Sequence, residues 1–496
     1  MAIEDEKDEW EELIRSDLYP YNVSVPFHSI PFSNTFLGGP RYGKLLLYIK
    51  DKMGYYYENF KDHHIVGTYC LELFLDDKAK YKEYIKFWHS EFEKLNSLFK
   101  TVRNTDLSKL SAMQLADLLD DVYNKVIRWH GIAYNVDSID VVLMPIIQKM
   151  IEDSYPGQKK SRLSEIYSKI TFPETLSYIN RIQLEKLALF RHMQEHGVDA
   201  SKGEAVEFIE KYYWVNFKFG ESKEYTLEDI MGEFKDYKDK DIAKELTHTE
   251  EMLKRSMLEK AEILGEISKH WSVKGYMVIF EDYAIFHDLR KEGQVKSVYF
   301  LRKIYNELAS RLGVDKEQLY YLWPNEMIEI GRGQKTLDIG LLENRSKDWF
   351  CEYYNTAEWK EYFGEEALKM RDDAIGVMGD ALQKEFEGVV ASHGRAVGPA
   401  KICLSADIAN QKIVEGDILV TGMTMPEFVT AMKKSAAIVT DEGGITCHAA
   451  IIAREFGIPC VVGTKVATRL IKDGDIIEVN ANHGVIKIIS SFSKDK

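Results

Sequence analysis

Cysteine is scarce: five residues in 496 (Cys70, Cys351, Cys403, Cys447 and Cys460), an odd number without a CxxC pair. That excludes a disulfide framework or a zinc ribbon as the basis of the fold and fits a reducing cytoplasm. Positive charge is also in deficit. Subtracting 80 acidic from 65 basic side chains leaves a net charge of -15, which repels phosphate backbones and anionic lipid, so no nucleic acid or membrane partner is expected. No stretch of about 18 uninterrupted apolar residues occurs, and the acidic start MAIEDEKDEWEELIRSDL lacks the cationic and apolar regions of a secretory signal. A period of about 20 to 50 residues is absent too, which excludes a solenoid. What remains is 45% hydrophobic residues in a chain long enough for two to four domains of about 100 to 200 residues each.

Two stretches with different grammar divide the chain. Up to about residue 385, apolar and aromatic residues return every three or four positions among Lys and Glu, as in AKYKEYIKFWHSEFEKLNSLFKTV and DIAKELTHTEEMLKRSMLEKAEILGEISKHW, the period of amphipathic helices. Ser108 or Ser111, and Thr226, suit helix N-caps. A last amphipathic helix is expected over EEALKMRDDAIGVMGDALQKEFEG. The text then turns to glycine punctuation and short β-branched runs. GRAVGPAKICLS, GDILVTG, AAIVTD, CVVGT, DIIEVN and GVIKII read as strands; MPEFVTAMKKS, with Pro426 in its first turn, and CHAAIIAREFG read as helices, the latter stopped by Gly457 and Pro459. The expected architecture is multidomain: a large, mainly α-helical domain over residues 1–385, a hinge near 385–395, an α/β domain over 386–490 and a polar tail, 491–496.

Chemistry concentrates in TDEGGITCHAAIIAREFGIPCVVG, Thr440 to Gly463. A buried strand runs into a Gly443-Gly444 turn, where φ > 0 is allowed and an anion can approach backbone without meeting a Cβ. His448 follows at the start of a helix, whose unpaired N–H groups and dipole favour negative charge. An imidazole so placed can take up and pass on a phosphoryl group, splitting one difficult transfer into two. Thr446 can hold the ring or the phosphoryl oxygens. Arg454, about two turns further on, points either at the phosphoryl group or at an outer face. Cys447 is a small neighbour chosen for fit rather than a redox centre. For a lone histidine, capping or packing would be the default; the length of this pattern reverses that preference.

Together with GRAVGPAKI and GDILVTGMTMPEF, this motif resembles the swivelling phosphohistidine domain of the PEP-utilising enzymes: phosphoenolpyruvate synthase, pyruvate phosphate dikinase and rifampin phosphotransferase. The resemblance covers residues 388 to 488 and implies that His448 is phosphorylated at an ATP or PEP site with Mg²⁺ and that the domain then swings to deliver the group. No ATP-grasp pattern or pyruvate barrel is recognisable beside it, and GRGQ around Gly331 and Gly333 is too short for a phosphate loop and reads as a turn. The helical part, through VKSVYFLRKIYNELASRLGV, KEQLYYLWPNEMIEI and ENRSKDWFCEYY, resembles the substrate domain of rifampin phosphotransferase. The implied protein is a phosphotransferase component whose ATP or PEP site, with its Mg²⁺, belongs to a separate ATP-grasp protein, and whose small-molecule acceptor is held by the helical domain. A phosphohistidine relay or regulatory subunit, and a scaffold with a vestigial histidine, are the rivals; a cavity facing His448 would favour the transferase.

Other clusters are weaker. Adjacent His63 and His64, near Asp62, diverge on any regular element and are not expected to bind metal. Glu281, Asp282, His287 and Arg290 could orient a polar substrate or supply a base, but charges pairing along a solvated helix face give the same spacing, and that reading is preferred. His393 is expected in the linker.

Overall fold

The computed structural model describes residues 10–15, 19–50, 53–172, 174–175, 178–217, 223–375, 385–425, 428–443 and 447–490. Helices dominate up to residue 375. Those that matter for the site are α1 (Phe60–Asp76), α2 (Asn135–Ser154), α3 (Lys274–Leu312), α4 (Pro324–Gly331) and α5 (Ile339–Arg345). The 39 residues of α3 span about 58 Å at 1.5 Å per residue, and the helix ends where Gly313 takes a left-handed φ of 66°. Its apolar positions from Met277 to Ala309 join one continuous core that gathers side chains from nearly every helix of this part. The N-caps expected at Ser111 and Thr226 are both present, each as a capping box. Gly331 and Gly333 lie at the end of α4 and in the turn beyond it, Gly333 at φ 72°.

The helical part also holds a sheet that periodicity did not announce. Strands β1 (Trp10–Arg15), β2 (Lys44–Lys50), β3 (Met53–Asn59), β4 (Trp349–Tyr354) and β5 (Trp359–Phe363) pair antiparallel in the order β1-β3-β2-β4-β5. Leu45, Leu47 and Ile49 of β2 point into the helical core, while Leu46 and Tyr48 pack on Ala367 of the helix Gly364–Ile375. Both faces are therefore buried, which makes KLLLYIK a continuous apolar run instead of an alternating one. Arg345 clamps this sheet to the bundle. Its guanidinium, 1% exposed, reaches Glu326 at 2.6 Å and Glu361 at 2.7 Å, and it donates to Tyr321 O at 3.0 Å.

From residue 385 eight strands form one sheet in the order β6-β13-β12-β8-β9-β10-β11-β7: β6 (Glu385–Glu387), β7 (Val389–Ser392), β8 (Arg395–Ile402), β9 (Ile418–Thr421), β10 (Ala437–Thr440), β11 (Cys460–Val462), β12 (Ile476–Asn480) and β13 (Val485–Ser490). Alternate residues face two separate cores, Leu419, Ile438 and Val462 on one side and Ile418, Val439 and Val461 on the other. Strands β8 to β11 run parallel. Two sequence expectations change here. The last amphipathic helix is Gly364–Ile375, residues 376–384 fall outside the described residues, and 385–387 form a strand. The expected hinge at 385–395 is likewise largely sheet, because Phe386 pairs with Ile486 and is buried, and Ser392 pairs with Cys460. His393 is exposed between β7 and β8.

Candidate functional site

The parallel strands β9, β10 and β11 end side by side at Thr421, Thr440 and Val462, and the loops that leave them build the site, the usual place for ligands in an open α/β sheet. Backbone hydrogen bonds stitch the three loops together: Asp441 N donates to Thr421 O, Thr464 N to Thr440 O and Lys465 N to Asp441 O. Asp441 fixes the arrangement further. Its Oδ1 accepts from Thr464 Oγ1 at 2.8 Å and from Ala467 N at 2.6 Å, and its Oδ2 accepts from Thr468 N at 3.1 Å. The aspartate of the TDEGG motif thus anchors the loop after β11 and is not aimed at the imidazole.

Gly443 has a φ of 104°, and a Cβ there would stand 2.8 Å from Cys447 Sγ, so both backbone conformation and space require glycine. Gly444 and Thr446, the other turn residues assigned to the phosphoryl group from sequence, lie outside the described residues, as does Pro426. Cys447 is the N-cap of α6 (His448–Phe456), and His448 is its first residue. Burial pushes the Cys447 thiol up, which keeps it protonated and unreactive. Arg454 Nε donates to Ala391 O at 2.8 Å, which braces this guanidinium against the edge strand β7, and its charge acts on Cys447.

The ring of His448 is 9% exposed. Its Nδ1 lies 2.9 Å from Thr424 Oγ1, whereas Nε2 is buried without a hydrogen-bond partner among the described residues. Burial, with the nearby positive charge of Lys291 on α3, lowers its pKa to about 4. The imidazole is therefore neutral near pH 7. With Nδ1–H donating to Thr424, the Nε2 lone pair is free. Thr424 escaped sequence reasoning because it stands 24 residues before His448; only the parallel pairing of β9 with β10 brings the two together, and GDILVTGMTMPEF carried its signal without distinguishing this residue.

This face of the α/β part meets the helical part. Lys465 Nζ lies 4.3 Å over the ring of Phe60, the first residue of α1, and the Lys291 charge acts on both Cys447 and His448. The remaining sequence candidates lie in the helical part. His63 Nε2 is 2.7 Å from Glu58 Oε2 and its Nδ1 is 3.0 Å from Ser138 Oγ, while His64 is exposed. Glu281, Asp282, His287 and Arg290 do not pair along one solvated face. Glu281 meets Lys260, Asp282 accepts from Tyr81 at 2.7 Å, His287 Nε2 lies 2.5 Å from Asp140 Oδ2, and Arg290 reaches Asp137 at 2.8 Å. The four reach three different helices, His287 and Arg290 sharing α2, because α3 is surrounded by neighbours. Among the described residues, no three His, Cys, Asp or Glu side chains are grouped to hold a metal ion, and no helix is long and apolar enough to cross a membrane.

Comparison with known proteins agrees with the loop geometry. Residues 413–484 match the family described as PEP-utilising enzyme, mobile domain. A probable phosphoenolpyruvate synthase of Archaeoglobus fulgidus is 55% identical over 101 residues, 20% of this chain and 13% of that protein. The phosphoenolpyruvate synthase of Aeropyrum pernix is 54% identical over 99 residues, 20% and 12% of the two chains. An uncharacterized phosphotransferase of Bacillus subtilis, YvkC, is 38% identical over 203 residues, 39% of this chain and 24% of that one. The chain spans a quarter or less of the length of each of these relatives.

Proposed function

Because residues 413–484 are a mobile domain of the PEP-utilising enzyme family, we propose that the chain is a phosphotransferase component that carries a phosphoryl group on His448 from an ATP or PEP site to an acceptor held by the helical part. The observation that carries this reading is the state of the imidazole: neutral, held at Nδ1 by Thr424, and free at Nε2. A hydroxyl that accepts from Nδ1–H keeps the nucleophilic lone pair on Nε2 and fixes the ring angle. The N-terminus of α6 and the Gly443 turn lie beside it, where fixed dipoles favour developing negative charge. Names of relatives supply the donor class, since phosphoenolpyruvate synthases and a phosphotransferase share this domain. We assign the donor nucleotide or PEP, with the Mg²⁺ that neutralises its phosphates, to a separate ATP-grasp protein.

Delivery requires the α/β part to leave the donor and settle against the acceptor. Contacts of Lys465 and Lys291 with its neighbours support reading the present arrangement as the acceptor-side position: a cation beside an unphosphorylated neutral imidazole gains a partner once the imidazole bears phosphate. The test is intact-mass analysis of wild-type and His448→Ala chains incubated with Mg²⁺ and either ATP or PEP, with and without a candidate ATP-grasp protein. Acid-labile phosphate on wild type alone is the expected result. Equal labelling of both chains, or none under any condition, would remove the carrier role.

A further inference from the structure

The loop after β11 carries a backbone anomaly beside the turn that leads to His448. Lys465 takes a left-handed φ of 63°, a conformation that favours glycine and that a lysine keeps only where its surroundings over-determine it. Here they do. Lys465 N donates to Asp441 O at 3.1 Å, and Thr464 N to Thr440 O at 3.1 Å. Thr464 Oγ1 and Ala467 N, on either side of it in sequence, both donate to Asp441 Oδ1. Gly463, at φ 67°, lies so close to the turn that a Cβ on it would stand 3.0 Å from Gly443 O. The backbone of Lys465 is therefore fixed to the segment that runs into His448, and the two move as one body.

The side chain of Lys465 is exposed and makes no ion pair among the described residues. It crosses to the helical part instead, where Nζ lies 4.3 Å over the ring of Phe60. Phe60 is an equally fixed point. It is the first residue of α1, directly after the N-cap Asn59, whose side chain accepts from Lys61 N at 2.9 Å. Beyond it α1 joins the helical core through Val66, Cys70 and Phe74, and a Cβ on Gly67 would overlap Ser138 O of α2. A cation and a ring, each carried on rigid backbone, thus face one another across the two parts of the chain. We infer that Lys465 is the docking residue of the α/β part and that the Phe60 ring is the seat it takes on the helical part. Residues 413–484 match a mobile domain, which needs a contact that can be made and broken. A cation over a ring at an exposed site favours the docked state by only about two- to fivefold. Unlike a buried ion pair, it leaves no unpaired carboxylate behind when the parts separate. Such a contact selects one position of the domain without trapping it there. Docking stands apart from the carrier reading above; that the seat serves phosphoryl transfer from His448 rests on that reading.

The experiment reads docking directly, in the full chain and without any phosphoryl donor. Dyes on Met113→Cys in the helical part and Val414→Cys, ahead of the amino end of β9, report the distance between the two parts by single-molecule energy transfer; both positions are exposed, and the five native cysteines are buried or half-buried. Wild type should hold one main distance with brief departures from it. Lys465→Met keeps the length of the side chain and the left-handed backbone but removes the charge, and should raise the ratio of departed to docked time about two- to fivefold. Phe60→Leu should raise it equally, and the double variant no further than either alone, since both remove the same interaction. Lys465→Arg, whose guanidinium also stacks on rings, should stay within about twofold of wild type. If Phe60→Leu lowers the melting temperature, Lys465→Met and Lys465→Arg decide the matter alone. A ratio in Lys465→Met equal to wild type overturns the inference. So do effects that multiply in the double variant, a Lys465→Arg ratio as high as that of Lys465→Met, or a distance that never changes in any chain. None of these results touches the carrier reading, because no phosphate is used; a His448 that takes up no phosphate overturns that reading and leaves the docking contact standing.

Discussion

Thr424 and His448 meet across the ends of two parallel strands, the hydroxyl of one hydrogen-bonded to Nδ1 of the other at 2.9 Å. The hydrogen bond decides which nitrogen keeps its lone pair, so its loss should be felt in chemistry more than in stability. Thr424→Val keeps the shape and removes the acceptor. Phosphate uptake by His448, measured as the initial rate of acid-labile labelling, should fall roughly 10- to 100-fold, and Thr424→Ser should restore most of it. Equal rates in the valine variant and wild type would show that Nδ1 needs no partner.

Burial pushes His28 and His130 to about 3, the first against a partly opposing Glu326 charge and the second helped by Arg290; burial and Lys291 take His448 to about 4. All three lie below the ordinary value near 6.5, so between that pH and their folded values only the unfolded chain binds the proton. Stability should therefore fall as pH drops from about 6.5 toward 4, by up to about 1.4 kcal/mol per pH unit for each histidine. Glu58 acts in the same direction lower down. Burial alone would raise it, but hydrogen bonds from His63, Tyr56 and Tyr134, with the His63 charge, hold it at about 2, and the stability it supplies is lost progressively as pH falls from its unfolded value to its folded one. Urea midpoints at pH 7, 6 and 5 test the slope. His130→Asn should flatten it; an unchanged slope would mean that His130 takes its proton in the folded protein.

Legibility followed the range of the interaction. TDEGGITCH showed its turn, its helix start at His448 and its carrier class, since each depends on neighbours within a few residues. Thr424 and Asp441 were present in the quoted strings, but their tasks are set by contacts between segments far apart in sequence, the strand pairing of Thr421 with Thr440 and the hydrogen bond from Thr468 N to Asp441. The five-stranded sheet was hidden for the same reason: β2 pairs with β4 some 300 residues later, and with both faces buried it shows no alternation. The grouping of His287 with Asp140 was undecidable because helical spacing alone does not say which face of α3 has neighbours.

Arg345 holds together α4, α5 and β5 from a position with 1% exposure. Its two carboxylate partners are themselves largely covered, and the Arg345 hydrogen bonds overcome burial to keep Glu326 below the usual range. Removing the cation leaves two negative charges facing each other in a place water scarcely reaches. Arg345→Met should cost about 3 kcal/mol or more, read as a lower urea midpoint. Adding Glu326→Gln and Glu361→Gln should recover part of the loss, and no recovery would mean that shape, and not charge, is what Arg345 contributes.

Gly443 is the position where backbone and packing demands coincide. At φ 104° an L side chain is strained, and the added Cβ of Gly443→Ala would fall 2.8 Å from Cys447 Sγ and 2.9 Å from its Cβ. Replacing Cys447 by alanine removes the first clash and leaves the second as well as the φ penalty. Relief therefore has to come from movement of Cys447, the residue that caps α6 and directly precedes His448. Gly443→Ala should lower phosphate uptake on His448 by more than tenfold while melting within a few degrees of wild type, the strain of a single left-handed residue being about 1–3 kcal/mol. The pair Gly443→Ala with Cys447→Ala should regain only a minor part of the uptake. Full recovery in the pair would show that the thiol contact alone required glycine; normal uptake in Gly443→Ala would show that the turn is not coupled to the imidazole at all.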